Sequence, residues 1–569
     1  MAGKTTAEKL ATIQKGYTLE GATIELGAAI VDGELRRDAP VRLPLAMMNR
    51  HGLVAGATGT GKTVTLHMMA EQLSAAGVPV FLADIKGDLS GLATAAEATE
   101  KLRGRTESIG QPWQGKAFPV EFLALGGDGN GVPVRATVTS FGPILLSRIM
   151  ELNDTQESSL QLVFYFADKN GLELIDLKDL RAVIQFLTSA EGKDQLEELG
   201  GLSKATAGVI LRELVNLEAQ GLEKFFGEPE FDTAKLLRTA PDGRGVVTCL
   251  ELPTLQTRPL LFSTFLMWLL ADLFEDLPET GDLDKPKLVF FLDEAHLLFN
   301  GASKAFLEAI TTTVRLIRSK GVGIFFVTQT PKDVPADVLG QLANRVQHAL
   351  RAFTPEDAKA LKATVSTFPV SDYDLEETLT SAGIGEAVIT VMNDRGAPTP
   401  VAHTRLRAPE SVMGPSDEAL VRSTVAGSAL LPKYGTAVDN VSAYEKLTGK
   451  AAAPTGPATP DRPAPESGAP EGGYDVDAEA RRIEEEILGR PSSRSASRRD
   501  TPGRDAGHDA PRRQQPSAQP GGGVIDDLGA VLGGALGGGL KSMARSVGTQ
   551  LGRELLRGVF GTSSRRRRR

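Results

Sequence analysis

Eight consecutive residues, Gly56-Ala57-Thr58-Gly59-Thr60-Gly61-Lys62-Thr63, satisfy the spacing G-x-x-x-x-G-K-[ST] at every fixed position. Glycines so placed let the backbone curl until successive N–H groups point inward at a phosphate chain, and the helix that follows adds the partial positive charge of its N-terminus. Gly56, Ala57, Thr58, Gly59, Thr60, Gly61, Lys62 and Thr63 are therefore the expected cradle of a nucleoside triphosphate. Within it, Lys62 should reach the β and γ phosphates and the Thr63 hydroxyl should ligate Mg²⁺. Leu53-Val54-Ala55 has the apolar character of a buried strand that feeds such a loop, and Val64 to Ala76 that of the helix leaving it.

A second constellation lies far downstream. Lys287-Leu288-Val289-Phe290-Phe291-Leu292-Asp293-Glu294-Ala295-His296 is an apolar run ending in two acids, the pattern of a buried strand that delivers carboxylates to the C-terminal edge of a parallel sheet. Asp293 there would hold Mg²⁺, and Glu294 would take or orient the proton of an attacking water. Gly323 to Pro331 repeats the strand pattern and ends on Gln329, whose amide both donates and accepts and so suits sensing of the γ-phosphate or holding of the water. Arg315 and Arg318, three apart, share a helical face and are candidates for an arginine finger entering a neighbouring subunit's site, with Arg345 and Arg351 as further candidates. Asp84-Ile85-Lys86-Gly87-Asp88 either lies near the site or a channel, or forms a plain turn with Gly87 in the left-handed region. His51 and His296 flank the two motifs, and no Cys/His metal cluster appears, so Mg²⁺ is the one metal implied.

These residues need an alternating β/α scaffold to meet, and the chain offers one. From about residue 17 to 445, short β-rich runs alternate with longer helical patterns, which predicts an α/β fold with a mostly parallel sheet. Strands are expected at 52–55, 78–83, 245–251, 287–292 and 323–328, with a helical insert at about 144–226 inside a core spanning 46–445. Residues 1–45 form an N-terminal extension. Residues 451–523 turn to Pro, Ala, Gly, Ser and Arg and are expected to be a disordered linker, with one short helix near Asp477 to Leu488. Residues 524–569 carry Leu528, Leu532, Leu536, Leu540, Met543 and Val547 at helical spacing among many glycines, and end in Arg565 to Arg569. Such a Gly-rich, amphipathic, basic tail suits nucleic acid, an anionic membrane surface or a protein partner, or stays solvated.

Across 569 residues, 63 Lys and Arg stand against 72 Asp and Glu, a net charge of −9, so any nucleic-acid contact must be local. The single cysteine, Cys249, excludes an internal disulfide and suits a reducing cytoplasm, and Met1 to Gly16 lacks the apolar core of a secretory signal. Leu260 to Phe274 is interrupted by polar residues and reads as a core helix.

Together GATGTGKT, FFLDEAHLLF, RLIRSKGVGIFFVTQTPKDVP and LGQLANRVQHALRAF resemble the HerA/FtsK superfamily of ring-forming P-loop motors, and within it the bacterial HerA-like branch. The resemblance covers roughly residues 17 to 445. It implies a RecA-like P-loop NTPase fold, ATP as the nucleotide, a homo-hexamer, and DNA threaded through the ring. It assigns Lys62, Thr63, Asp293, Glu294 and Gln329 the roles given above and favours Arg318 as the finger acting in trans. Tyr17 to Leu45 would be a reduced form of that superfamily's N-terminal barrel.

Overall fold

The computed structural model describes residues 4–449 apart from 128, 253–258, 301 and 303. The expected linker, its short helix and the 524–569 tail lie outside the described residues. Twelve strands form one sheet: β1 (Thr23–Val31), β2 (Glu34–Pro44), β3 (Gly52–Ala55), β4 (Val80–Asp84), β5 (Val120–Leu125), β6 (Val132–Val134), β7 (Val247–Glu251), β8 (Leu288–Leu292), β9 (Val322–Thr328), β10 (Asn344–His348), β11 (Glu386–Thr390) and β12 (Ala402–Leu406). Their order is β2-β1-β12-β11-β10-β3-β9-β8-β4-β7-β5-β6. From β10 to β6 every neighbouring pair is parallel, whereas β2, β1, β12 and β11 join antiparallel. The fold is the expected α/β arrangement around a mostly parallel sheet.

The five strands expected from the sequence correspond to β3, β4, β7, β8 and β9. Four of them, β3, β4, β8 and β9, are buried at every position and so read as unbroken apolar runs; β5 and β11 are buried at all but one position, as β7 is, but a glutamate interrupts β5 and opens β11. The rest carry a weaker signal. In β12, for instance, His403 and Arg405 alternate with buried Ala402, Thr404 and Leu406. The β1–β2 hairpin turns at Asp32 and Gly33, both with positive φ (50° and 82°), which is the backbone a two-residue turn between twisted strands requires. The hairpin extends the sheet through β12.

Helices cover the sheet. We label those used below α1 (Lys62–Ala75), α2 (Val138–Ile149), α3 (Asp154–Lys169), α4 (Leu177–Thr188), α5 (Lys204–Ala219), α6 (Pro259–Asp276) and α7 (Lys304–Ile317). Helices α2 to α5 lie between β6 and β7 in the chain, in the stretch where the leucine-rich pattern predicts helix, and α2 is broken where Gly142 (φ 78°) precedes Pro143. α6 is a core helix: Phe265 and Trp268 pack with Phe225 at ring separations of 6.0 and 5.9 Å. Among the described residues no helix is long and apolar enough to cross a membrane.

Because β3, β9, β8 and β4 are consecutive neighbours running the same way, their C-terminal ends open onto one edge of the sheet. The glycine loop, Gln329, the two acids and the Asp84–Asp88 segment all leave from that edge.

Candidate nucleotide-binding site

The loop after β3 takes its shape from glycine. Gly56, Gly59 and Gly61 have φ of 156°, 78° and 116°, values that side chains disfavour. A Cβ on Gly56 would lie 2.4 Å from the His348 Cβ, and one on Gly61 would lie 3.4 Å from the backbone of Gly385. The loop thus runs against a wall made by the end of β10 and the approach to β11. Four backbone bonds fix it there. Gly56 N–H donates to the Thr328 carbonyl (3.2 Å), Ala57 N–H to Ala349 (2.9 Å), Thr60 N–H to Ala57 (3.3 Å), and Gly385 N–H to Thr60 (2.9 Å). His348 Nε2 shares a 2.8 Å hydrogen bond with the Thr65 hydroxyl one turn into α1. Burial, reinforced by the Lys62 charge, drops the His348 pKa to about 4, so the ring is a neutral strut. Gly385 belongs to none of the quoted motifs, and His348, although inside LGQLANRVQHALRAF, carries no role there; only the fold brings the two to the loop.

α1 begins at Lys62 with Gly61 as its N-cap, and no side chain caps it. Its leading N–H groups are therefore left for an anion. The Lys62 amine donates to the carbonyls of Gly56 (2.7 Å) and Ala57 (3.3 Å), which holds it across the loop. Burial lowers its pKa, and the charges of Glu294 and then Asp293 oppose that shift, so the ammonium and both carboxylates lie in one electrostatic neighbourhood.

Asp293 and Glu294 are almost fully buried, at 4% and 8% exposure. Asp293 Oδ1 accepts the Glu294 N–H at 2.9 Å. Burial first, then the Glu294 charge, pushes the Asp293 pKa up to about 6, with the Glu294 N–H and Lys86 acting against the rise. A carboxylate in that condition is short of cationic partners, and a divalent cation would supply one. Among the described residues no group of three or more His, Cys, Asp or Glu could hold a metal. The residues that could hold Mg²⁺ are Asp293, through its carboxylate, and Thr63, through its hydroxyl, with phosphates completing the set as is usual beside a nucleotide.

Glu294 has a positive φ of 46°, and the Lys86 ammonium is hydrogen-bonded to its Oε1. Both readings of Asp84–Asp88 hold: Lys86 borders Glu294, and Gly87 stands in the left-handed region (φ 75°) of a turn. The rest of that segment is anchored by Asp84, whose carboxylate accepts the N–H groups of Gly87 (2.7 Å) and Leu89 (3.0 Å). His296 Nδ1 lies 3.2 Å from Glu294 Oε2 without the alignment of a hydrogen bond, and both atoms are buried without a hydrogen-bond partner.

Gln329 is exposed just past β9, between the strands of the two motifs. Asp333, which the sequence pattern does not single out, organises its surroundings. It accepts the Thr328 hydroxyl (2.8 Å), the Thr330 N–H (2.8 Å) and the Thr330 hydroxyl (2.9 Å), one residue to either side of Gln329.

The remaining candidates lie elsewhere. Arg318 is exposed in the turn before β9 and feels Arg50 and Asp282, at the opposite edge of the sheet from the loop. Seven residues of β9 separate it from Gln329, roughly 23 Å at ~3.3 Å per residue. It is thus away from its own subunit's site. Arg315 is exposed on α7. Arg345 is spent on the carbonyls of Leu342 and Thr367, while Arg351 is exposed past β10. His51 is structural: its ring bridges the Val314 carbonyl (2.7 Å) and the Ile324 N–H (3.0 Å).

Comparison with known proteins shows the family. The family model for the helicase HerA-like C-terminal region matches residues 30–507. The chain is 21% identical over 369 residues to the DNA double-strand break repair helicase HerA of Saccharolobus solfataricus, covering 63% of this chain and 66% of that protein. It is 24% identical over 392 residues to the protein of the same name from Sulfurisphaera tokodaii, covering 68% and 70%. This chain therefore spans about two thirds of the length of these curated relatives. Among solved structures it is similar to plasmid coupling protein TrwB in complex with ADP and Mg²⁺, at 16% identity and a TM-score of 0.44, covering 69% of this chain and 98% of that one.

Proposed function

The chain belongs to the HerA-like helicase C-terminal family, and from that premise we propose that it is an Mg²⁺-dependent ATP hydrolase that works as a ring of its own copies and moves or unwinds DNA. The observation that carries the reading is the convergence of a phosphate-type loop and two buried acids: the Lys62 amine lies in the field of Asp293 and Glu294, which come from a strand more than 200 residues away.

Each residue then has a task. The loop N–H groups and the start of α1 bind the phosphates, and Lys62 turns from the Gly56 and Ala57 carbonyls to the β and γ oxygens. Thr63 and Asp293 hold Mg²⁺, which when bound neutralises phosphate charge and orients the γ-phosphoryl group. Glu294 accepts the proton of the attacking water. Gln329, fixed between the two threonines that Asp333 anchors, positions that water or reports the γ-phosphate. The distance of Arg318 from its own site favours action on a neighbour, where it would stabilise transition-state charge. DNA as cargo is supported by family membership and by the names of the two curated relatives.

The test is ATP turnover by the full chain with and without EDTA, and with single- and double-stranded DNA, alongside mass measurement of the particle. We expect turnover that requires Mg²⁺, rises with DNA and accompanies a six-copy assembly. A pure, folded preparation whose turnover ignores both forms of DNA would refute DNA as cargo and leave a motor on protein, or a scaffold held through Val524 to Arg569, as the reading to pursue.

A further inference from the structure

The proposed function gives no task to Lys86, yet this residue makes the closest contact to the proposed base. Its ammonium binds Glu294 Oε1. The other oxygen, Oε2, is buried and has no hydrogen-bond partner. One oxygen of the carboxylate is therefore capped by a cation and the other is shut away from solvent. A base must present a lone pair to the water it activates, and in this geometry Oε2 is closed to solvent and a water at Oε1 must compete with the Lys86 ammonium. The backbone adds to the picture. Glu294 has a φ of 46°, and it is held on both sides, by the Ala295 N–H on the Val327 carbonyl (2.9 Å) and the Leu297 N–H on the Glu294 carbonyl (2.8 Å). Only its side chain is left to rearrange.

We propose that Lys86 is a positioning residue that holds Glu294 off the attacking water, and that each turnover requires Lys86 to let it go.

The loop is built for such a release. Asp84, 2% exposed, fixes the root of the segment through Gly87 and Leu89, while the Lys86 side chain is 45% exposed against 10% for Glu294. The cation is therefore freer to move than the carboxylate. A second acceptor is at hand. Asp88 interacts electrostatically with Lys86, and its Oδ1 is buried without a hydrogen-bond partner. Lys86 thus has two carboxylates to choose between, and moving to Asp88 frees Glu294. Burial costs the Lys86 ammonium, but hydrogen bonding to Glu294 and the Asp293 charge outweigh it, so in the paired position its pKa is raised.

This inference rests on the ATPase reading, and two measurements separate the two. In the full chain, Lys86→Ala should raise kcat without DNA by about tenfold, a part of the roughly 10²–10⁴-fold that a positioned base supplies. KM should stay unchanged, and stimulation by DNA should shrink. Lys86→Arg, which keeps the ion pair, should retain the low basal rate. A kcat for Lys86→Ala equal to or below that of the parent overturns the gate. The second measurement needs no turnover: brief treatment with an amine-acetylating reagent, with Lys86 modification quantified by peptide mass spectrometry. Labelling should increase severalfold in Glu294→Gln relative to the parent, because the pair is weakened. Equal labelling in a chain that hydrolyses ATP overturns the gate alone, whereas an inert parent chain overturns the ATPase reading and the gate with it.

Discussion

Replacing Gly56 by alanine tests whether the loop is a shaped cradle or merely a flexible turn. The new Cβ would lie 2.4 Å from the His348 Cβ and 3.0 Å from the Thr60 hydroxyl oxygen, about 1 Å inside ordinary carbon–carbon contact. His348 has nowhere to go. It is fully buried, its backbone belongs to β10, and its ring is bonded to Thr65. The φ of 156° adds backbone strain of about 1–3 kcal/mol. The loop must therefore shift by roughly 1 Å, and misplacement on that scale costs about 10²-fold in positioned chemistry. We expect kcat/KM for ATP to fall by that factor, about 2.7 kcal/mol, with triphosphate affinity falling in parallel. Gly59→Ala is the control. Its φ is 78°, but its Cβ meets nothing within 4 Å, so only left-handed strain of about 1–2 kcal/mol applies, a loss of roughly tenfold. Calorimetric titration with a non-hydrolysable ATP analogue and Mg²⁺, with thermal melting as a check on folding, reads both variants. If Gly56→Ala binds as tightly as the parent, or Gly59→Ala loses as much as Gly56→Ala, the cradle geometry is wrong.

Lys62→Ala removes a charge-assisted contact of about 1.5–3 kcal/mol and should weaken triphosphate binding ten- to a hundredfold, while Glu294→Gln should bind normally and turn over about 10²–10⁴ times more slowly; a Glu294→Gln protein with parental kcat would place the base elsewhere. Arg318→Ala and Glu294→Gln subunits, each inactive alone, should regain turnover when mixed, because some neighbouring pairs then join an intact base to an intact arginine; mixtures as inactive as their parts would remove Arg318 from the reaction. Asp272 in α6 is pushed up to about 7 by burial and by the nearby Asp276, Glu230 and Glu275 charges, although it accepts the Thr233 hydroxyl at 2.6 Å. Between about pH 4 and 7 the folded chain then holds a proton that the unfolded chain has lost, so stability falls as pH rises through that window and levels off above it. Asp272→Asn should flatten the fall, and melting temperatures at pH 5 and pH 8 that change as much in the variant as in the parent would show that Asp272 does not contribute.

What the sequence disclosed and what it withheld follow from how each part of the site is assembled. The loop, Lys62 and Thr63 are legible because their geometry is local: glycines at fixed spacing ahead of a helix determine where the N–H groups point, whatever lies around them. Asp293, Glu294 and Gln329 are legible for a related reason. Each ends a strand buried on both faces, and such strands are the ones whose apolar runs stand out. The wall behind the loop has neither advantage. His348 and Gly385 reach it only because β10 pairs with β3 and β11 follows in the sheet, a strand order that local composition does not encode. Lys86 falls between the two cases: its segment stands out as a motif, but its partner is 208 residues away and becomes visible only once β4 lies beside β8. Arg318 carries the same logic to the next level. Its residue type fits a finger, its own subunit keeps it at the far edge of the sheet, and the site it would complete belongs to another copy of the chain. The locality of a residue's geometry therefore ranks the assignments by how far each depends on assembly: the glycine loop on one segment, the pairing of Glu294 with Lys86 on one fold, and the proposed role of Arg318 on a neighbouring copy.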